Sequence, residues 1–118
     1  MNNLVTFLLV FFIFKYGTLD DSARPAKQSY CDLKGSVYIV DDPRKANYKV
    51  YEEDSEAFAD MLVFETDNSL YADKPGLWYF VNNIGFADFT IYLVSSKNNA
   101  DFSVYYTSYE SMAGCANQ

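Results

Sequence analysis

The chain has 118 residues, enough for one domain, and carries 16 acidic against 9 basic residues for a net charge of −7. It contains no histidine. That excludes Ser-His-Asp and Cys-His catalysis and histidine-based metal sites. No basic stripe exists, and Arg24 and Arg44 are the only arginines, so nucleic acid is excluded as a partner.

Leu4 to Phe14 is an eleven-residue apolar run, shorter than the roughly 20 residues that span a bilayer. It suits the apolar core of an export signal over residues 1–21, with weak cleavage sites at the small residues near Gly17-Thr18 and Ala23 to Ala26. An uncleaved N-terminal anchor is the alternative. Residues 22–30 are polar, include Pro25, and read as a flexible leader. Without residues 1–21 the chain keeps eight basic and fourteen acidic residues. The expected location is secreted or extracytoplasmic.

From residue 31 onward the chain is a repeat. Six aliphatic–aromatic pairs open six units: Val37-Tyr38, Val50-Tyr51, Val63-Phe64, Trp78-Tyr79, Ile91-Tyr92 and Val104-Tyr105. Their spacing is 13, 13, 15, 13 and 13 residues. Nine residues after each opening residue comes an alanine: Ala46, Ala59, Ala72, Ala87, Ala100 and Ala113. Within units the pattern has period two. Phe89, Ile91 and Leu93 face one way, and Thr90, Tyr92 and Val94 the other, which is a strand. The polar links between strands carry Asp, Asn or Ser at their heads and predict a turn, often one helical turn, ending at the repeated alanine. Alanine there implies close packing of link on sheet. Both strand faces are apolar in most units, so something covers the second face.

The fold class is therefore mainly β, six strand-plus-turn units over residues 31–118. Links of about seven residues are short for a parallel crossover, which normally takes about a dozen residues or more. This favours antiparallel strands closed into a barrel or packed as two three-stranded sheets. The two extra residues near Lys74-Pro75-Gly76-Leu77 mark a seam between the third and fourth units. The alternative is a parallel β-solenoid with one-turn return helices. Cys31 and Cys115 bracket the array, and two cysteines in an exported chain usually form one bridge. Closure lets them meet. A solenoid of six strands at about 4.8 Å spacing holds its ends too far apart for a bridge.

The openings, the pairs Ala59-Asp60, Ala72-Asp73, Ala87-Asp88 and Ala100-Asp101, and the run Leu77-Trp78-Tyr79-Phe80 resemble an uncharacterised, mostly bacterial family of short proteins with tandem Val-Tyr…Ala-Asp repeats. The resemblance covers Gly35 to Cys115. Asn47 and Gly114 stand where the first and last units depart from it. It implies no catalytic or binding residues.

Three groups are candidate sites. Asp60, Asp73, Asp88 and Asp101 share one repeat position. As a row they could share Ca²⁺, the only cofactor considered; as turn residues each would bond the backbone of its own turn. Glu52, Glu53, Asp54 and Glu56 form an acidic cluster, but neighbours on a strand face opposite ways, so a hydrolytic carboxylate pair at Glu52 and Glu53 is disfavoured. Tyr38, Tyr51, Tyr79, Tyr92 and Tyr105 form an aromatic row, either core or a surface for a protein or glycan. The function expected is a small exported, non-catalytic module working by surface contact, structural or adhesive, with self-association open to it. A Ca²⁺ or carbohydrate binder is the alternative, and a carboxylate-dependent hydrolase a third reading.

Overall fold

The computed structural model describes residues 30–115. The export signal read over residues 1–21 lies outside them, as does the leader up to Tyr30. Tyr30 itself is buried and stacks on Phe102 at 4.5 Å.

Each unit forms the expected strand: β1 Gly35–Ile39, β2 Tyr48–Glu52, β3 Met61–Glu65, β4 Leu77–Phe80, β5 Phe89–Leu93 and β6 Phe102–Tyr106, followed by a short β7 Gly114–Cys115. Between them lie six links, each a single 3-10 turn: Pro43–Lys45, Glu56–Phe58, Ser69–Tyr71, Ile84–Phe86, Lys97–Asn99 and Glu110–Met112. Every link ends on the repeated alanine, whose N–H bonds the carbonyl three residues back. The side chains of Asp42, Ser55, Asn68 and Asn83 cap the turn that follows them by accepting from the amide two residues on.

The six strands close into a barrel in the order β4-β1-β5-β2-β6-β3, with β3 pairing β4 to complete the ring. All six run parallel, which corrects the antiparallel expectation; only β7 is antiparallel, against the start of β3. The dozen-residue rule fails here because the strands are short. A five-residue strand is about 17 Å long, and a link with one tight turn and extended flanks returns that distance. Consecutive strands are mostly not neighbours. β5 lies between β1 and β2, and β6 between β2 and β3. The first three units make one lap of the barrel, and the last three fill the gaps in a second lap. The step from β3 to β4 is the only one between adjacent strands of the barrel, and the two extra residues fall there. The three-plus-three seam is real, but its halves interleave instead of forming separate sheets.

Each strand is offset from its neighbour by two residues, so Val37 pairs with Phe89 and not with Ile91. The same offset recurs around the ring and brings equivalent repeat positions to one height. The six openers Val37, Val50, Val63, Trp78, Ile91 and Val104 are each 0 % exposed and form the central layer of the core. Above it Tyr48, Met61, Phe89 and Phe102 pack with Tyr30. Gly35 and Gly76 take the remaining places in that layer, beside Trp78, whose indole N–H reaches the Leu33 carbonyl at 3.2 Å. Gly76 has φ +85°, and a Cβ there would strike the backbone of Gly114.

Cys31 and Cys115 form a disulfide with a Cα–Cα distance of 5.4 Å. This bears out closure and overturns the solenoid, although that reading had the parallel direction and the short return helices. The links cover the outer strand face, where Ser36, Thr66, Thr90, Ser103 and Thr107 are buried. No buried side-chain polar atom among the described residues lacks a hydrogen-bond partner.

Candidate functional site

The repeated aspartates do not bond their own turns. Asp60, Asp88 and Asp101 each bond a neighbouring strand from the other lap. Asp88 Oδ2 accepts from the Ser36 amide at 2.8 Å, and Asp101 Oδ2 from the Lys49 amide at 2.8 Å. Asp60 Oδ2 accepts from the Ser103 amide at 2.9 Å, while the Asp60 amide donates to Ser103 Oγ at 3.1 Å. Asn47 plays the same part toward Thr90, so its departure from aspartate keeps the chemistry. Asp73, at the seam, is exposed and makes none of these bonds. These residues staple lap to lap around the ring. No group of three or more metal-ligating side chains occurs among the described residues.

Tyr38, Tyr51, Tyr79, Tyr92 and Tyr105 lie on the outer face, all half-buried between the links. They are neither core nor an open row. The acidic cluster divides as its alternation requires. Glu53 pairs with Lys97 at 2.6 Å. Glu52 points to the barrel mouth at the C-terminal strand ends, where the Tyr106 hydroxyl donates to it at 2.7 Å. Burial first, then that bond and the charges of Glu52 and Glu65, push the Tyr106 hydroxyl well above its usual range. Phe80 and Leu93 pack against the core at the same end, and Phe80 meets Tyr106 edge to face at 6.2 Å.

The open surface is elsewhere. The link between two strands passes outside the strand that separates them. The first link lies on β5, the fifth on β2 and the sixth on β3, while the third rests on β1 and β4. Around the barrel the links therefore follow the order fourth, first, fifth, second, sixth, third. Large apolar side chains project from four consecutive members of that ring. Phe58 is on the second, Met112 on the sixth with Tyr109 at its cap, Leu70 and Tyr71 on the third, and Ile84 and Phe86 on the fourth. Leu70 is 79 % exposed, Phe86 72 %, Tyr109 69 % and Tyr71 64 %. The first and fifth links carry Arg44, Lys45 and Lys97 instead.

Two clefts flank the third link. One, of about 470 Å³, is floored by Phe64 and walled by Tyr71, with Glu65, Asp67, Asp73, Lys74 and Glu110. The other, of about 540 Å³, is lined by Tyr79, Phe80 and Phe86 with Ser36, Ser69, Asn82 and Asn83.

The family model for the 7(1) septoil knot domain matches residues 30–116. The chain belongs to the septoil knot family. Among curated proteins none matches it. A chain that threads back on itself is an exception to the usual topology of folds. In this septoil knot the interleaving of β5 and β6 among β1, β2 and β3 is where the two laps interlock. The small repeat family that the sequence resembles is in keeping with this assignment.

Chemically, the septoil knot offers a filled interior and a patterned exterior. The arc was missed in the sequence, yet its signal is there: Phe58, Tyr71, Phe86 and Met112 all stand eight residues after a unit opening, directly before the alanine. Lys45 and Asn99 hold that position in the other two units.

Proposed function

We propose that this septoil knot is a small exported, non-catalytic module that acts by surface contact. The observation that carries the reading is the arc of exposed Phe58, Tyr109, Met112, Leu70, Tyr71, Ile84 and Phe86 on four adjacent links. Isolated apolar side chains on a surface are ordinary, but a contiguous set marks a contact site. The Cys31–Cys115 bridge fits an oxidising compartment, and with the apolar run at Leu4 to Phe14 it supports export.

The test is retention. The exported protein is expected to stay on the surface of the cells that make it. Serine at Leu70, Tyr71 and Phe86 should release it to the medium without lowering its melting temperature. Equal retention of wild type and variant would end the reading.

A carbohydrate ligand is the second reading, favoured by the cleft that sets Tyr79 and Phe86 beside Asn82 and Asn83. Aromatic faces and amides are the groups that sugars use. Here a glycan panel should yield binding that Phe86→Ala abolishes.

A further inference from the structure

We propose that the arc over the sixth, third and fourth links docks a basic amphipathic polypeptide segment of a partner protein. This names the partner class for the contact surface proposed above and rests on that reading. Two properties of the arc select the occupant. It is apolar, with Leu70, Tyr71, Phe86 and Tyr109 all exposed. It is also acidic: the cleft between the third and sixth links sets Glu65, Asp67, Asp73 and Glu110 against the single amine of Lys74. An apolar ligand alone would leave those carboxylates without partners. A lysine or arginine laid beside Tyr71 gains both the carboxylates and the face of the ring.

The same charges argue against two other occupants. An anionic membrane surface meets like charge. A second copy brings fourteen acidic against eight basic residues, counted from residue 22 onward, to face the acidic arc. Its opposite sector offers only the Lys45 amine in return, because of the three link cations there Arg44 is already paired with Asp42 and Lys97 with Glu53. Complementarity of sign therefore selects a foreign basic segment.

The test titrates the full protein with a short labelled helical peptide built of leucine and lysine. Saturable binding is expected, weakening as salt rises. Tyr71→Ser with Leu70→Ser should reduce affinity about tenfold, the loss of apolar contact from two side chains. Glu110→Gln with Asp73→Asn should reduce it about threefold at low salt. Arg44→Gln, on the far side, should leave it unchanged. All these positions are exposed, so the variants keep the wild-type melting temperature. The proposal is overturned if a leucine–glutamate peptide binds equally well or if the arc variants bind like wild type. It is also overturned if phosphatidylglycerol vesicles bind more tightly than the peptide, or if the arc substitutions abolish a dimer seen in sedimentation. Cell retention that depends on Tyr71 without peptide binding would keep the contact surface and discard the basic partner.

Discussion

Cys31 and Cys115 stand 84 positions apart in the chain and 5.4 Å apart between Cα atoms. Their bridge fastens the start of the first lap to β7, which pairs with β3 after the end of the second lap. A loop of this length restricts the unfolded chain by about 4.6 kcal/mol in the chain-entropy account. Replacing both cysteines with serine should lower the unfolding free energy by about that amount, measured by urea denaturation. A loss below about 1 kcal/mol would show that the interlocked laps already impose the restriction.

Asp60 and Asp73 share a repeat position and differ in what they touch. Asp60 satisfies the amide of Ser103, a residue with no exposed surface. Asp60→Ala should destabilise by about 2 kcal/mol, because a buried donor is left unpaired. Asp73→Ala, at the exposed seam, should change stability by less than about 0.5 kcal/mol. Calcium should move the melting temperature of neither the wild type nor the variants. A calcium-dependent rise lost in Asp60→Ala would restore the ion-binding reading.

Much of this was legible in the sequence. The openings Val37 to Val104 fixed six strands and the face each buries, and the alanines fixed where each link ends. The direction and order of the strands were not legible. Every unit has nearly the same length, so nothing local states whether the next strand lies beside the last or one place further on. That information sits in long-range pairs such as Asp88 with Ser36, which couple residues 52 positions apart. The seam at Lys74 to Leu77 was visible as two added residues, but not that it marks a change of lap. The apolar arc was hidden for the same reason. Tyr109 and Tyr71 line one face only because the sixth link returns to lie beside the third.

Gly76 sets the approach of β7 to the seam. Its φ of +85° belongs to glycine, and a Cβ there would meet the Gly114 amide and the Leu62 carbonyl. Gly76→Ala should cost about 2 kcal/mol or more in chemical denaturation. Gly85→Ala, in an exposed link where only Asn83 Oδ1 approaches, serves as the control and should shift stability by less than about 0.5 kcal/mol.

The Tyr106 hydroxyl gives the fold an alkaline limit. Its folded-state pKa is raised above the ordinary 10.0, by burial first and then by Glu52 and Glu65. Below pH 10 the proton is on in both folded and unfolded chains, and the stabilising contribution is complete. Above it the unfolded chain releases the proton and the folded chain keeps it, so stability falls as pH rises, by up to about 1.4 kcal/mol per unit. Tyr106→Phe should lose about 1 kcal/mol near neutrality and show a flatter decline above pH 10. Part of the slope should remain, because burial and then Asp60 also raise the Tyr30 hydroxyl. An unchanged slope in the variant would falsify this assignment.

The interlocked laps have a mechanical consequence. A degradation motor that grips the tail beyond Cys115 cannot peel β6 away as an end strand, since β2 and β3 hold it on either side. Tension at Cys115 passes through the covalent bridge to Cys31, so both laps are loaded at once instead of one strand at a time. Cutting an exposed outer link is therefore the expected way into such a barrel, and reeling in from one end is not.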